Sequence, residues 1–454
     1  MSSSAAGLLT FEQARRLVEE HAATLRPRGK ELVELLDSLG QILAEPILAD
    51  RDFPPFPRAT RDGYAVRAAD LTQVPATLEV IGEIKAGAAA DAALKVESGK
   101  AAAIMTGAPA PPGSDAVVMV EYTSRDGNHV TITKGIAAGD NIVPAGAEAK
   151  RGTRLLSTGV RLDHAVIAIA ASVGRSRLLV YSKPRVAVLA TGDELVDIDI
   201  PLASNQIRNS NTYSLAAQIQ AAGGEPVLLP IAPDEPERLR ELIADGLEAD
   251  LLLLSGGVSM GKYDLVEQVL TELQAEFFFT GAQIQPGRPV VFGRVRHGAG
   301  AAAREGERHA AGGHEKKAAS GGHGLSRAVR IPNESGALAP EGPTYFFGLP
   351  GNPVSTMVTF ELFARPVLEA LAGMTPKKLI FLHAKLKSEI KTKPGLKRFL
   401  PAILSGEFEQ AEVELVRWQG SGDIAATAAS NCYIVIPPDR ERIAPGEWVP
   451  VLMR

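Results

Sequence analysis

Two loops of small residues, each directly after an apolar run, are the clearest chemical feature of the chain. Residues 251–254 are four leucines, which read as a buried strand, and they lead into a serine- and glycine-rich stretch at 255–261, the serine loop. The apolar run 345–347 leads in the same way into 348–353, the proline loop. Loops of this kind bring backbone N–H groups close to an oxyanion. They predict an enzyme that handles a phosphorylated ligand.

Carboxylates follow the other predicted strands. Asp193 and Glu194 come after the run 186–190, Asp234 comes after 227–231, and Asp264 lies just beyond the serine loop. Acids that converge beside an oxyanion cradle are what Mg²⁺-assisted phosphate chemistry requires, because acids hold the hard cation while N–H groups hold the anion. Taken singly, each acid has a structural explanation. Asp234 fits a helix N-cap, Asp193 or Glu194 fits a turn cap, and Asp264 fits a first helical turn. Their co-location at one sheet edge favours function.

The elements that must position these groups alternate between strand and helix, which predicts a mostly parallel, doubly wound α/β domain over 181–372. In such a sheet, ligands bind beyond the carboxyl ends of the strands. The predicted strands are 186–190, 227–231, 251–254, 277–279, 290–292 and 345–347. The predicted helices are 211–222, one that begins near Asp234, 263–273 and 353–371.

The flanking segments follow different patterns. We predict an N-terminal helical and linker domain at 8–50 and 140–180, with helices at 11–25 (capped by Thr10), 31–39 and 162–173. Short β-type runs separated by Gly and Pro turns predict a β-rich domain at 51–139, and a further set predicts a small C-terminal β-barrel domain at 373–454. The predicted strands of these two domains are 78–84, 101–105, 116–120, 129–133, 379–386, 399–404, 413–418, 433–436 and 448–452.

Composition narrows the class of protein. A chain of 454 residues suggests three or four domains, and a net charge of −5 without a long basic run argues against nucleic acid as a partner. The single cysteine, Cys432, excludes an intrachain disulfide framework and fits a reducing cytoplasm. No apolar run approaches the roughly 20 residues of a membrane span, and no secretory signal is evident at the N-terminus.

One segment, 297–342, interrupts the α/β pattern. It is rich in Gly, Ala and charged residues and poor in bulky apolar ones, so we predict a disordered insertion in a loop between strands. It contains four histidines, His297, His309, His314 and His323. A polar tract without fixed structure cannot pre-orient ligands, which favours a solvated segment over a metal site.

Six motifs, in order along the chain, resemble the molybdopterin molybdenumtransferases, the MoeA family, which includes the gephyrin E domain. They are Arg61-Asp62-Gly63-Tyr64-Ala65-Val66, Met105-Thr106-Gly107-Ala108-Pro109, Ala190-Thr191-Gly192-Asp193-Glu194-Leu195, the serine loop, the proline loop with Val354-Ser355, and Trp418-Gln419-Gly420-Ser421. Together they cover nearly the whole chain outside the insertion. The Ser-Gly-Gly loop alone is shared with molybdopterin adenylyltransferases and CinA-type proteins.

The resemblance implies the last step of molybdenum cofactor assembly. A member of this family inserts molybdate into adenylylated molybdopterin with Mg²⁺ and releases AMP. It is a homodimer whose active site combines residues of two subunits, and transient contact with a molybdopterin adenylyltransferase is expected. Two alternatives stay open, a non-enzymatic molybdopterin-binding scaffold and an adenylyltransferase-like nucleotide-handling enzyme. The acids at the sheet edge favour an enzyme over a scaffold, and the extra terminal domains argue against the adenylyltransferase.

The resemblance also assigns roles to residues by their position in the motifs. The implied catalytic residues are Asp62, Thr106, Glu148, Glu194, Asp264 and Arg288. The implied ligand-binding residues are Thr191, Gly192, Ser255, Gly256, Gly257, Ser259, Pro286, Gly351, Asn352, Pro353, Arg398 and Ser421, and the implied metal ligands are Glu194, Asp234 and Asp264.

Four positions depart from the family pattern. Glu148 stands where the family has an aspartate after Gly-Glu, so the acid is one methylene longer. Gln285 and Arg288 replace the lysines of Lys-Pro-Gly-Lys-Pro; Arg288 can hold an oxyanion through two hydrogen bonds, whereas Gln285 offers only a neutral amide. Leu396 interrupts the family's Gly-Arg motif, which leaves Lys397 or Arg398 to supply the cation.

Overall fold

The structure, a computed structural model, describes residues 7–87, 94–257, 265–296, 342–374 and 377–454. Ser259, Asp264 and the predicted insertion up to residue 341 lie outside the described residues. The chain divides into two compact units. The first comprises Met1–Glu31, Gly40–Ile42 and Val180–Arg454, and the second comprises Leu32–Leu39 and Leu43–Leu179.

The first unit contains a six-stranded sheet covered by helices. In spatial order its strands are Glu225–Leu228, Arg185–Ala190, Leu251–Ser255, Thr344–Leu349, Val291–Val295 and Glu276–Phe279. The first four run parallel, while Val291–Val295 is antiparallel to both of its neighbours. The helices of this part of the unit are Phe11–Thr24, Ser210–Ala222, Pro236–Gly246, Leu265–Glu272, Pro353–Thr359 and Arg365–Leu371, the last two joined by a π-helical turn at Phe360–Ala364. The predicted doubly wound α/β fold is confirmed.

Both faces of this sheet are buried, which explains its continuous apolar strands. Val186 and Val188 pack into a cluster with the long C-terminal helix on one face, whereas Ala187 and Leu189 pack with Leu239 and its helix on the other. Alternate residues of a strand point to opposite faces, so an apolar residue is needed at every position. Burying one such side chain stabilises the fold by roughly 1.5–3 kcal/mol.

A closed five-stranded barrel completes the first unit. Lys397–Ser405 pairs with both Glu412–Leu415 and Cys432–Ile436, and Phe381–Leu386 and Trp448–Met453 close the circle. Ile284–Gln285 from the α/β part adds a short parallel strand beside Lys397–Ser405. The barrel segment also contains the helices Phe408–Gln410 and Ile424–Ala429. Short strand pairs of this unit join Leu8–Leu9 to Gly281–Ala282, Leu195–Val196 to Ile207–Arg208, and Ile390–Lys391 to Arg442–Ile443.

The second unit is built around another six-stranded sheet. Its strands, in spatial order, are Ala116–Met119, Gly63–Val66, Lys100–Ile104, Ala76–Ile84, His129–Ile132 and Thr123–Asp126. The remaining elements of this unit are the strands Ile47–Leu48, Arg58–Ala59, Ile142–Val143 and Arg154–Leu156 and the helices Ala68–Leu71, Val120–Tyr122 and His164–Ser172. The strands Lys30–Glu34 and Arg177–Tyr181 lie at the boundaries of the two units.

The sequence pattern predicted the start of the first helix correctly and failed at two later positions. Thr10 caps the helix Phe11–Thr24 through a capping box with Gln13, as predicted. The predicted helix 31–39 is wrong, because Lys30–Glu34 is a strand followed by turns. Its leucines matched a helical period, yet strand pairing overrode that local preference. Asp234 is not an N-cap either, since Glu235 occupies that position and makes no side-chain cap.

Within the described residues, no helix is long and apolar enough to cross a membrane.

Candidate functional site

The carboxyl edge of the parallel strands carries an acidic loop, residues 191–194. Thr191 and Gly192 extend the sheet, since their N–H groups donate to the carbonyl oxygens of Ser255 (3.0 Å) and Ala232 (3.2 Å). Asp193 and Glu194 then turn outward and are exposed. A Cβ added to Gly192 would lie 2.5 Å from Oε2 of Glu194, so the Glu194 carboxylate folds back over that glycine. The absence of a side chain at Gly192 lets the acid lie against the end of the sheet.

Asp234 lies close to this acidic loop. Its backbone N–H donates to Oδ1 of Asp193 at 3.1 Å. Partial burial raises the pKa of Asp234, and the negative charges of Asp193 and Glu194 raise it further. A cation bound beside these three carboxylates would relieve the repulsion that Asp193 and Glu194 exert on ionised Asp234. The structure therefore brings Glu194 and Asp234, two of the three predicted metal ligands, into one cluster, and it adds Asp193.

The serine loop packs tightly against the acidic loop. Ser255 ends its strand with only 2% of its surface exposed, and the backbone continues through Gly256 and Gly257 with φ values of +91° and +64°. A Cβ on Gly256 would lie 2.6 Å from the carbonyl oxygen of Thr191. Both the positive φ and this close approach require glycine. The glycines thus hold two neighbouring loops in contact at the sheet edge.

The proline loop lies beside the serine loop. The Gly256 N–H donates to the Leu349 carbonyl at 3.3 Å, and a Cβ on Gly351 would be 3.7 Å from the Gly256 Cα. Asn352 and Pro353 open the helix Pro353–Thr359, with Asn352 at the N-cap position and Pro353 in the first turn. Gly351 and Asn352 are exposed. The two predicted cradle loops are therefore adjacent, with a helix N-terminus beside them.

Asn211, which is not among the predicted site residues, joins the two loops. Its side-chain Nδ2 donates to Oγ of Ser255 at 2.9 Å and to the carbonyl oxygen of Gly351 at 2.7 Å. In the sequence this asparagine only opens a predicted helix, so it resembles a capping residue. Its link to loops 44 and 140 residues away is purely tertiary.

A pocket of about 570 Å³ lies in the barrel and contains Arg398. Lys391, Lys393 and Gln285 also line it, together with Trp418. Gln285 lies directly opposite Arg398 in the parallel pairing of their strands. The Nε of Arg398 is buried and has no hydrogen-bond partner among the described residues. The pocket thus presents three cations and an unfilled donor.

Arg398 differs from other partly buried arginines of the first unit. Burial lowers the pKa of Arg398, and no acid opposes that effect. Burial also lowers the pKa of Arg365, yet Glu361 and Glu369 more than offset it. Even a partly buried cation without a counter-ion costs stability unless an anion binds beside it. The arrangement at Arg398 therefore favours an anionic ligand in this pocket.

The pocket and the proline loop are connected through a short segment. The carbonyl oxygen of Ser421, three residues beyond Trp418, accepts from the N–H of Val354 at 3.0 Å. Pro286 and Gly287 follow Gln285 in the chain. Gly287 packs so closely against Thr359 that an added Cβ would lie 2.4 Å from Cγ2 of Thr359. Arg288 is exposed, and its carbonyl oxygen accepts from Ala282 and Val290 at 3.0 Å each. Its guanidinium makes no hydrogen bond or ion pair with the described residues.

The second unit contains its own pair of polar contacts. Oδ1 of Asp62 accepts from the Thr106 N–H at 2.7 Å, which joins two of the predicted catalytic residues. Glu148 pairs with Arg58 at 2.8 Å, and both side chains are substantially exposed. Gly63 follows Asp62 at a point where a Cβ would lie 1.8 Å from the Val118 carbonyl oxygen. This close packing presents Asp62 at the start of its strand.

These features define a multi-domain α/β protein with acidic and glycine-rich loops at one edge of its parallel sheet and a cationic pocket in an appended barrel. Residues 9–174 match the MoeA N-terminal region (domain I and II), residues 187–370 match a probable molybdopterin binding domain, and residues 383–453 match the MoeA C-terminal region (domain IV). The chain belongs to the MoeA family of molybdopterin molybdenumtransferases.

Curated relatives and solved structures agree over nearly the full length. The chain is 33% identical to a molybdopterin molybdenumtransferase of Nostoc sp. over 93% of this chain and 88% of the relative. It is 31% identical to one of Haemophilus influenzae over 98% of each. The crystal structure of the molybdopterin biosynthesis moeA protein from Pyrococcus horikoshii OT3 superposes with a TM-score of 0.71 at 27% identity, covering 98% of this chain and all of the other.

Proposed function

We propose that this protein acts in molybdenum cofactor biosynthesis as a transferase that inserts molybdate into adenylylated molybdopterin and releases AMP. The observation that carries the proposal is the pairing of an acidic cluster with an anion cradle at one sheet edge. Asp193, Glu194 and Asp234 supply the negative charge, and we assign the anion cradle to the glycine-rich serine and proline loops beside them. Family membership favours this transferase over the scaffold and adenylyltransferase alternatives.

The acidic cluster fits Mg²⁺ by its donor chemistry. Its donors are carboxylate oxygens, the hard ligands that Mg²⁺ prefers, and partial burial together with the charges of Asp193 and Glu194 raises the pKa of Asp234. The described residues contain no group of three or more ligands already close enough to enclose a metal. Mg²⁺ usually keeps several waters and takes only one or two carboxylates plus substrate phosphates, so the smaller set suffices. We assign Glu194 and Asp234 to this role, with Asp264 from outside the described residues.

When bound, Mg²⁺ would neutralise the phosphoanhydride and polarise a phosphate oxygen. The chain's own groups orient the substrate: Thr191, Gly192, Ser255, Gly256, Gly257 and Ser259 form one wall of the phosphate site, and Gly351, Asn352 and Pro353 form the other. No side-chain nucleophile is required, because a molybdate or water oxygen can attack phosphorus. The attacking oxygen bonds to the phosphorus of the pterin phosphate, the bond from that phosphorus to the bridging oxygen breaks, and AMP leaves with the bridging oxygen. Molybdenum binds the two dithiolene sulfurs as one oxo group of molybdate leaves as water with the two thiol protons. Holding the reactants in line supplies much of the rate gain.

Arg398 is assigned to the oxyanion end of the substrate site. Its unpartnered Nε and the lysines beside it attract a dianion such as molybdate. We place Pro286 and Ser421 at the same end, because they lie one and three residues beyond the pocket residues Gln285 and Trp418. Arg288 remains a proposed second cation at this end, because its guanidinium can bind an oxyanion with two hydrogen bonds.

The direct test is an AMP-release assay with adenylylated molybdopterin, molybdate and Mg²⁺. Asp234→Asn and Asp264→Ala should abolish AMP release while leaving the melting temperature unchanged. Asp245→Asn, an exposed acid at the far end of the helix that follows Asp234, is the matched control and should retain activity. Unchanged AMP release in the first two variants would contradict the metal role. Pterin binding by the wild type without AMP release would favour a scaffold.

The finer family expectations form part of the same proposal. We propose a cytoplasmic homodimer with the four-part domain division set out above, and transient transfer of substrate from a molybdopterin adenylyltransferase. In this dimer, Asp62, Thr106 and Glu148 of one subunit complete the site of the partner. Cytoplasmic location is supported by a single cysteine, whose thiol is buried.

Subunit mixing tests the shared site. Asp62→Ala and Asp234→Asn should each be inactive, because each removes one half of every site. Refolded or exchanged mixtures should recover about a quarter of wild-type activity, since half of the dimers are mixed and each mixed dimer has one intact site. A mixture that stays inactive while forming mixed dimers would show that each chain builds its site alone.

A further inference from the structure

Asn211 occupies a position that no simple capping role explains. The cap of its helix, Ser210–Ala222, is Asn209, whose side chain accepts from the Thr212 N–H at 3.3 Å. Asn211 instead uses its amide to reach the ends of two strands, Ser255 and Gly351.

The orientation of this amide follows from its partners. The carbonyl oxygen of Gly351 can only accept a hydrogen bond, so the group at 2.7 Å from it must be the NH₂ and not the oxygen. The same NH₂ donates its second hydrogen to Oγ of Ser255 at 2.9 Å. Oδ1 of Asn211 faces away, is buried, and has no hydrogen-bond partner among the described residues.

This orientation fixes the role of the Ser255 hydroxyl. A hydroxyl has one hydrogen to donate and two lone pairs to accept. One lone pair of Ser255 is taken by Asn211, and its hydrogen is not donated to any group in the described part of the chain. Ser255 is almost fully buried at the start of the serine loop. Among the described residues its O–H is therefore an unused donor, and Asn211 prevents it from turning toward that side as a donor.

We propose that Asn211 is a positioning residue, which presents the Ser255 O–H to a phosphate oxygen of the ligand and holds Ser255 and Gly351 together beside it. This inference rests on the proposed function, because it requires the serine loop to bind a phosphate. Asn211 acts through Ser255 and not on the ligand's phosphorus. The pair forms a two-step relay, in which an amide donates to a hydroxyl and the hydroxyl donates to an anion, and each bond strengthens the other.

The test measures pyrophosphate binding by isothermal titration calorimetry with the full chain. Asn211→Ala and Ser255→Ala should each weaken binding by about tenfold, the loss expected for one hydrogen bond to a charged group. The double variant should also be weaker by only about tenfold, because both substitutions break the same relay. Asn209→Asp is the matched control: it keeps a capping oxygen two residues earlier and should leave pyrophosphate affinity unchanged.

Asn211→Asp adds a readout that a purely structural role would not change. The carboxylate would accept the Ser255 hydrogen and so remove the donor from the ligand. Protonation at lower pH makes the acid a donor again, and burial moves that protonation upward in pH. The affinity of Asn211→Asp relative to wild type should therefore recover as pH falls from 8 to about 5.

Two results would overturn the relay while leaving the phosphate site intact: wild-type affinity in Asn211→Ala, or a loss in the double variant equal to the product of the single losses. Failure of wild type to bind pyrophosphate would overturn the phosphate site and the relay with it. The AMP-release assay remains a separate test of the transferase activity, so the two failures are distinguishable.

Discussion

The guanidinium of Arg398 donates from Nη2 to the carbonyl oxygen of Lys393 at 2.6 Å, which aligns it along the wall of the barrel pocket. This single backbone contact orients the group while its Nε stays without a partner in the described part of the chain. A backbone carbonyl fixes the direction of the guanidinium without neutralising its charge. Arg398 is thus held ready for an anion, at a cost in stability.

Arg398→Met should separate the contribution of Arg398 to molybdate binding from its effect on stability. Molybdate affinity should fall by at least about tenfold, the value of a charge-assisted hydrogen bond. The melting temperature should stay the same or rise, because replacing a buried charge with an apolar side chain removes a desolvation penalty. Calorimetric titration with molybdate and thermal unfolding measure the two effects.

Arg440→Met is the matched control for this prediction. Arg440 lies on the same barrel domain, is exposed and pairs with Glu447. Its loss should change neither molybdate affinity nor the melting temperature appreciably, since exposed ion pairs contribute about 0–1 kcal/mol. Unaltered molybdate affinity in Arg398→Met would contradict the assignment of the pocket.

Asp62 should have separable structural and catalytic roles. Asp62→Asn keeps an oxygen that can accept from the Thr106 N–H, so the melting temperature should change by no more than about 1 °C. Asp62→Ala removes the acceptor and should lower it by about 2 °C. Both variants lack the carboxylate and should lose AMP release. Wild-type activity in Asp62→Asn would show that the residue only anchors the Thr106 loop.

Gly256→Ala should damage both the fold and the site. A Cβ at this position meets the Thr191 carbonyl oxygen at 2.6 Å, and the backbone has a positive φ, so the serine loop must move or strain. We expect a loss of roughly 2 kcal/mol in unfolding free energy and weaker pyrophosphate binding. Chemical denaturation and calorimetry provide the two measurements.

Gly422→Ala serves as the comparison for that substitution, because nothing lies within 4 Å of its added Cβ. It should be neutral or slightly stabilising. Equal effects of the two substitutions would mean that close loop contact at Gly256 is not required.

His21 should make stability of the first unit depend on pH. It stacks on Phe278 with ring centroids 3.9 Å apart, and its Nδ1 lies 3.2 Å from the Tyr345 hydroxyl. Burial lowers the pKa of His21, the charge of Arg294 lowers it further, and the nearby glutamates Glu276 and Glu20 oppose the shift. The folded state thus binds this proton less readily than the unfolded state.

Because the pKa of His21 is lowered in the folded state, the protein should lose stability as the pH falls. The stability linked to neutral His21 is fully present above the unfolded pKa near 6.5 and is lost as pH falls below it toward the lowered folded value. His21→Gln should flatten this acid limb in thermal unfolding, whereas His129→Gln, at an exposed histidine of the second unit, should leave it in place. An unchanged acid limb in His21→Gln would contradict the prediction.

The apolar runs of the α/β domain were sufficient to predict its strands. A strand buried on both faces needs an apolar residue at every position, and this pattern is local and hard to mistake. The Thr10 N-cap and the two small-residue loops could be predicted for the same reason: each is a short-range pattern with a specific backbone consequence. The helix predicted at 31–39 failed because its leucines fitted a helical period, while the choice between helix and strand was made by pairing with distant residues.

What the sequence by itself determined is therefore the set of chemical groups and the strands that carry them, along with the family motifs in which they stand. The tertiary structure decided which groups meet. It brought Asp193 beside Asp234, tied Asn211 to Ser255 and Gly351, and left Arg398 without a counter-ion beside Gln285. These relationships join residues tens to hundreds of positions apart. Local propensity carries no information about such distances, because only the packing of the whole sheet and barrel sets them.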